Sequence, residues 1–295
     1  MGFFVRFWGV RGSIPTPGPR TRRYGGNTSC YELRSDTTVL IFDAGTGLRE
    51  LGISLLRNPP RAGLELHLFL SHPHWDHIQG FPFFGPAYLP TTTIHVYGSE
   101  KNENYQLLSG QMSNAYFPVA FKDLSARIVP RAFKNDVVQA GDFVVRRFDQ
   151  KHPGGSAGFR VEHEGRAVVY ATDSELDQLL TDPEGPSRNP RTLRRLPAAV
   201  VAPMKNADLL IADAQYTDEE YPKRIGWGHA RSNTVVDLAI QAGVRQLALT
   251  HHDPMHSDRD VDAMVLTASE RARSIGAELE VFGAREGVTL RVDRE

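Results

Sequence analysis

Three histidines and one carboxylate fall within the six residues His72-Pro73-His74-Trp75-Asp76-His77. They follow the apolar run Leu66-His67-Leu68-Phe69-Leu70, which reads as a buried strand. Residues two apart in an extended segment point to the same side, so His72 and His74 can present their imidazoles to one point. Asp76 and His77 come next, on the turn, and can serve a second point close by. Neutral imidazole and carboxylate are ligands for zinc, manganese or iron, and no thiolate is offered here. Isolated histidines are mostly structural, but ligand-type residues at this density just after a strand point to a metal.

A two-metal site needs more donors than this stretch supplies. Three stand at the ends of other predicted strands. His152 follows Phe143–Asp149 and precedes Pro153-Gly154-Gly155. Asp173 follows Val168–Ala171. His251 follows Leu247–Thr250, with His252 and Asp253 beside it. Any one of them alone reads as a turn or capping residue; together they place a common site along one edge of a sheet. Asp43, in Asp43-Ala44-Gly45-Thr46-Gly47, is either a capping or turn residue or a support for a metal-bound histidine.

The elements that must hold these residues alternate in a readable way. Strands are predicted at 3–10, 30–33, 38–42, 93–97, 125–130, 143–148, 157–161 and 167–171, with helices opening after Asp43 and over 103–112. Strands at 209–212 and 246–250 then alternate with helices at 232–242 and 258–275, and a closing strand pair stands near Glu280 and Thr289. Hairpins first and strand–helix alternation later make an α/β chain of mixed sheets covered by helices. One domain is expected over residues 1–295, with a Pro- and Arg-rich insertion around 181–205 that carries Arg188, Arg191, Arg194 and Arg195. That insertion is a solvated excursion or a basic flap over an anionic substrate. Phe81, Phe83, Phe84 and Tyr88 are too broken by Pro and Gly for one helix face. They are core aromatics, or a lip on which a planar ligand stacks.

Composition sets the outer bounds. A net charge of −1 argues against an overall grip on nucleic acid or anionic membrane, while leaving room for a local basic patch. The single cysteine, Cys30, rules out an intramolecular disulfide and reads as core rather than nucleophile. The apolar start Phe3-Phe4-Val5 is interrupted by Arg6, which is too short a run for a secretory signal, and no stretch has transmembrane length. A cytoplasmic protein without membrane contact is expected.

With these residues in view, the chain resembles the metallo-β-lactamase-fold hydrolases over essentially its whole length. It is most similar to their phosphodiesterase branch, with ribonuclease Z and small cyclic-phosphodiester hydrolases. His72-Pro73-His74-Trp75-Asp76-His77 carries the H-x-H-x-D-H pattern, and His152, Asp173 and His251 follow in the right order. The resemblance implies a four-layer αββα sandwich. One divalent ion would sit on His72, His74 and His152, and another on Asp76, His77 and His251. Asp173 would bridge the two ions, which would be Zn²⁺ or Mn²⁺, or alternatively iron. His252 remains a competing ligand or a substrate contact. Leu209-Leu210-Ile211-Ala212-Asp213 and Gly226-Trp227-Gly228-His229 resemble the segments that supply an acidic residue and the catalytic histidine it orients, although Ala212 replaces a histidine often found there.

The activity this implies is phosphodiester hydrolysis by a hydroxide held between the two metals. Asp76 would orient the nucleophile, and His229, supported by Asp213, would act as general acid. Ribonuclease Z carries a long arm between the positions of His152 and Asp173, and those two lie only 21 residues apart here (173 − 152). A small diester, foremost a cyclic nucleotide, is therefore expected ahead of nucleic acid, with Phe81 and Phe84 stacking the base and Arg191 and Arg194 covering the phosphate. An RNA 3′-processing nuclease of ribonuclease Z type is the alternative, and a metal-bound sensor of phosphorylated ligands the second. A homodimer is implied by the resemblance alone.

Overall fold

The computed structural model describes residues 2–57, 63–98, 103–183 and 189–292. The chain forms two compact units, each assembled from separate stretches: Met1–Pro17, Gly25–Arg146 and Arg285–Glu295 in the first, Gly18–Tyr24 and Arg147–Ala284 in the second.

Unit 1 is built on a seven-stranded sheet. Its strands are β1 (Phe4–Gly9), β2 (Cys30–Arg34), β3 (Val39–Phe42), β4 (Leu64–Phe69), β5 (Thr92–Gly98), β6 (Arg127–Ala132) and, from the far end of the chain, β14 (Thr289–Arg291). They lie in the order β14-β1-β2-β3-β4-β5-β6. The pairs from β14 to β3 are antiparallel and those from β3 to β6 parallel. Parallel strands need a crossover, and helix α1 (Gly47–Arg57) supplies the one from β3 to β4. Leu48, Leu51 and Leu55 form its buried stripe. Helices α2 (Trp75–Ile78) and α3 (Glu103–Gln111) complete the unit. Pro130 falls inside β6, where an edge strand tolerates the missing N–H.

The second sheet has the order β13-β12-β11-β10-β9-β8-β7. Its members are β7 (Val137–Ala140), which sequence periodicity missed, β8 (Phe143–Gln150), β9 (Ser156–His163), β10 (Arg166–Ala171), β11 (Leu209–Asp213), β12 (Gln246–Thr250) and β13 (Glu280–Gly283). Strands β10 to β13 run parallel. In unit 2 the short α4 (Ala198–Val201) and the long helices α5 (Ser232–Ala242) and α6 (Asp258–Ile275) accompany them. A capping box, Ser257 with Asp260, starts α6, and left-handed glycines Gly243 and Gly276 end α5 and α6.

One expectation needs correction. The closing strands do not pair with each other: β13 adds to β12, and β14 to β1. Their strand character was legible locally, but the partner is chosen by long-range packing.

Both cores are conventional. Cys30 lies within the apolar core of unit 1, and burial pushes its thiol well above the ordinary range, which suits packing and not nucleophilic attack. Among the described residues no helix is long and apolar enough to cross a membrane.

Candidate metal and catalytic residues in the two units

In unit 1 the motif begins where β4 ends. Asp43, just after β3, has a left-handed backbone (φ 61°) that turns its carboxylate toward the end of the neighbouring strand. One carboxylate oxygen accepts from the Ser71 backbone N–H at 2.7 Å; the other lies 2.8 Å from the Ser71 hydroxyl and 2.7 Å from His77 Nδ1. A carboxylate only accepts, so His77 carries a proton on Nδ1, and its Nε2 points the other way, 3.2 Å from Asp76 Oδ2. The Ser71 hydroxyl, having donated to Asp43, accepts from His72 Nδ1 at 3.0 Å. His72 Nε2 then faces His74 Nδ1 at 2.9 Å. Asp76 is steadied by the backbone N–H of Ser13 at 2.7 Å. Of the two roles open to Asp43 from sequence, its contacts are those of a support for His77.

Unit 2 repeats this arrangement. His152 follows β8, and its Nδ1 donates to the Gly228 carbonyl at 2.8 Å. His251, left-handed at φ 59° after β12, donates from Nδ1 to Gln215 Oε1 at 3.0 Å. Asp173, left-handed at φ 46° after β10, lies 3.2 Å from His251 Nε2 and 3.7 Å from His152 Nε2. Asp213 closes β11 and holds His229 Nδ1 at 2.9 Å. Donor atoms of Asp173, Asp213, His229 and His251 all lie within 4.8 Å of one another. Three non-glycine residues with positive φ at the ends of parallel strands store backbone strain, as functional sites commonly do.

The donor set fits divalent metal. In His72, His77, His152 and His251 an oxygen holds Nδ1, which makes Nε2 the nitrogen each could turn to a metal, as metal-ligating histidines are arranged. Two ligands on a tetrahedral ion separate by about 3.3 Å, close to the spacings of 2.9 to 3.7 Å found within each unit.

Several supporting residues escaped sequence reasoning. Buried Glu175 accepts from the Tyr221 hydroxyl at 2.9 Å and from the backbone N–H groups of Gly226 and Gly228 at 2.6 and 2.9 Å, which pins the loop that carries His229. A Cβ on Gly228 would stand 2.2 Å from His152 Nδ1, so only glycine lets that carbonyl reach the ring. Trp75 and Trp227, 60% and 58% exposed, stand beside the site residues His74 and His229, and Arg224 lies over the Trp227 ring at 4.6 Å. Tryptophan left in water next to a site was the available signal.

Other expected contacts are placed elsewhere. Phe81 and Phe84 are fully buried in the unit 1 core and cannot offer a stacking lip; the exposed ring of that segment is Phe83. His252 lies on the opposite side of its strand end from His251, donating to the Ala284 carbonyl at 2.9 Å and packing edge-on to Tyr24. That is a structural position, so its expected role as ligand or substrate contact is set aside. Arg194 is buried: its guanidinium lies 3.4 Å from Asp237 and 3.3 Å from Asp218, and its backbone N–H donates to Asp237. Arg271 adds a second ion pair to Asp237 at 2.8 Å. Arg194 thus fastens the Pro- and Arg-rich segment to the unit 2 helices and cannot also cover a phosphate. Arg191 is exposed, and Arg188 lies outside the described residues.

Residues 38–252 match the family described as "Beta-lactamase superfamily domain". The chain is 25% identical to ribonuclease Z of Haloarcula marismortui over 324 aligned positions, covering 98% of this chain and 96% of the relative. The metallo-β-lactamase fold protein YhfI from Bacillus subtilis superposes with a TM-score of 0.68 at 20% identity, covering 98% of both chains. Human tRNase Z, short form, gives 0.64 at 19% identity over 99% of this chain and all of that one. The chain belongs to the β-lactamase superfamily and has its metallo-β-lactamase fold. With the ligand-type cluster it carries, it is a hydrolase of that superfamily, similar to its phosphodiesterase and ribonuclease Z members.

Proposed function

We propose that the chain is a metal-dependent phosphodiesterase that cleaves RNA in the manner of ribonuclease Z. The observation that carries the chemistry is the His229–Asp213 pair at 2.9 Å, set among Asp173 and His251. The ribonuclease Z relatives, matched over nearly their full length, favour RNA over the cyclic nucleotide expected from sequence.

His72, His74 and His152 would hold one divalent ion, and Asp76, His77 and His251 the other, with Asp173 shared. Zinc and manganese both suit these donors. When bound, the ions supply Lewis acidity and activate water near neutral pH. The remaining tasks fall to the chain. Asp76 orients the attacking water. Asp213 keeps the His229 Nδ1 proton in place, so that His229 Nε2 can deliver a proton to the leaving oxygen. Asp43, Ser71, Gly228 and Gln215 hold the imidazoles in one tautomer. Trp75 and Trp227 offer exposed rings for unstacked bases.

A second reading, hydrolysis of a small diester such as a cyclic nucleotide, keeps one observation in its favour. β9 and β10 join directly at Glu164-Gly165, with no arm between His152 and Asp173. The test is incubation with Mn²⁺ or Zn²⁺ and a precursor tRNA, 3′,5′- and 2′,3′-cyclic nucleotides and cyclic dinucleotides. Cleavage of the precursor at its 3′ side is expected. Turnover of cyclic nucleotides alone would transfer the assignment to the second reading, and no cleavage of any diester would leave a phospho-ligand sensor.

A further inference from the structure

Unit 2 contains a cavity of about 230 Å³ between its sheet and helices α4 and α5. Its floor is apolar: Phe148, Ala171, Ala212, Met204 and Leu238. Its mouth lies at the exposed residues Asp149, Lys151 and Ala199. Ala171 and Ala212 belong to the apolar cluster with Met204 and Leu238, on the helix-covered face of the sheet. The cavity is therefore separate from the proposed metal ligands, although Ser174 and Asp213 form part of its wall.

One lining residue, Gln150, carries an unsatisfied polar atom. The Gln150 side-chain N–H₂ donates to the backbone carbonyls of Thr172 and Asp173, which fixes the orientation of the amide, since the flipped form would set its oxygen against two carbonyls. Gln150 Oε1 is left buried with no hydrogen-bond partner. The backbone makes room for this arrangement at Gly158, where a Cβ would stand 2.2 Å from the Phe148 ring and 2.7 Å from Gln150 Oε1. A buried acceptor without a donor is costly. Water is a poor remedy, because an ordered water needs two to four polar partners and this floor is apolar.

We infer that the cavity is a binding site for a small neutral molecule with a flat apolar body and one N–H or O–H donor, the donor meeting Gln150 Oε1. Apolar cavities of about 150 Å³ take up benzene; the extra volume here admits a bicyclic ring. The ligand enters between Lys151 and Ala199 and lies against Ala212, directly behind the residue that orients His229.

Indole and 1-methylindole serve as probes, with binding read by calorimetry and by the methyl resonance of Met204. Neither readout depends on catalysis, so the site stands or falls apart from the assignment of the reaction. Indole is expected to bind, to shift the Met204 methyl, and to bind about tenfold more tightly than 1-methylindole, the worth of one hydrogen bond. Gln150→Leu should bring the two affinities together. Ala199→Trp, at an exposed position that tolerates bulk, should abolish both while thermal unfolding shows a folded protein. Absence of indole binding at saturating concentration would overturn the proposal. So would equal affinity for the two probes in the unaltered protein, or undiminished binding to folded Ala199→Trp.

Discussion

Asp43 Oδ2 stands 2.7 Å from His77 Nδ1, both residues fully buried, and the same carboxylate also takes the hydroxyl and backbone N–H of Ser71. A single residue after β3 thereby sets the proton position of His77 directly and of His72 through Ser71. Replacing Asp43 by Asn keeps the left-handed turn, which asparagine tolerates, but removes the charge. Metal affinity is expected to fall about 10- to 100-fold, the usual cost of losing such a support. Metal content after graded chelation, measured by mass spectrometry, checks this; unchanged retention would show that Asp43 is only a turn residue.

His229→Ala should lower turnover about 10²- to 10⁴-fold, the range for a lost general acid, with bound metal unchanged. Single-turnover rates and metal content on the same sample separate the two effects. A rate equal to that of the unaltered enzyme removes His229 from the mechanism.

The adjacent histidines should behave in opposite ways. His251 meets Asp173 at 3.2 Å, whereas His252 donates to the Ala284 carbonyl. His251→Ala is expected to lose metal. His252→Gln should keep it, at a stability cost of about 1 kcal/mol for one buried hydrogen bond. Calorimetric unfolding beside metal analysis reads both, and the reverse pattern would exchange the two assignments.

Trp227 carries a separate prediction about the substrate. Its ring is exposed and lies under Arg224. Trp227→Ala should raise KM for a precursor tRNA about 10-fold, the worth of one base stack. KM for bis(p-nitrophenyl) phosphate, which bears no base, should stay nearly constant. Equal changes on both substrates would argue against stacking.

Acid should weaken the fold through His67. Burial, with a smaller contribution from the neighbouring His95, holds its imidazole down to about 4. The unfolded chain, with its histidine near 6.5, takes up a proton first as pH falls. Stability from this residue is thus complete above about pH 6.5 and is lost progressively toward pH 4, by about 3 kcal/mol. Denaturant melts of the protein and of His67→Gln across pH 4 to 7 should differ in slope, with the variant flatter. Parallel slopes would contradict the assignment.

Much of this molecule could be read along the chain. Among the described residues, alternation and β-branched runs located thirteen of the fourteen strands of the two sheets, and a leucine stripe backs α1. The motif from His72 to His77 announced itself because ligand-type side chains at that spacing have no packing rationale. His152, Asp173 and His251 stood out as candidate ligands because each follows an apolar strand, and that is a local signal.

Tertiary structure decided the rest. Whether β13 joins β14 or β12 depends on contacts tens of residues apart, to which local propensity is blind. The same holds for Phe81 against Phe83 and for His251 against His252: neighbours of the same chemical type differ only in which side of the chain faces the core. Arg194 reads as a free cation until Asp218 and Asp237 arrive from distant turns and helices to pair with it. Glu175, Gln215 and Gly228 carry no motif at all, because their work is done through hydrogen bonds that exist only once the chain has folded. The residue types determined which chemistry is available, since ligand character belongs to the side chain itself. Only the folded backbone determined which nitrogen of each imidazole is left to do it.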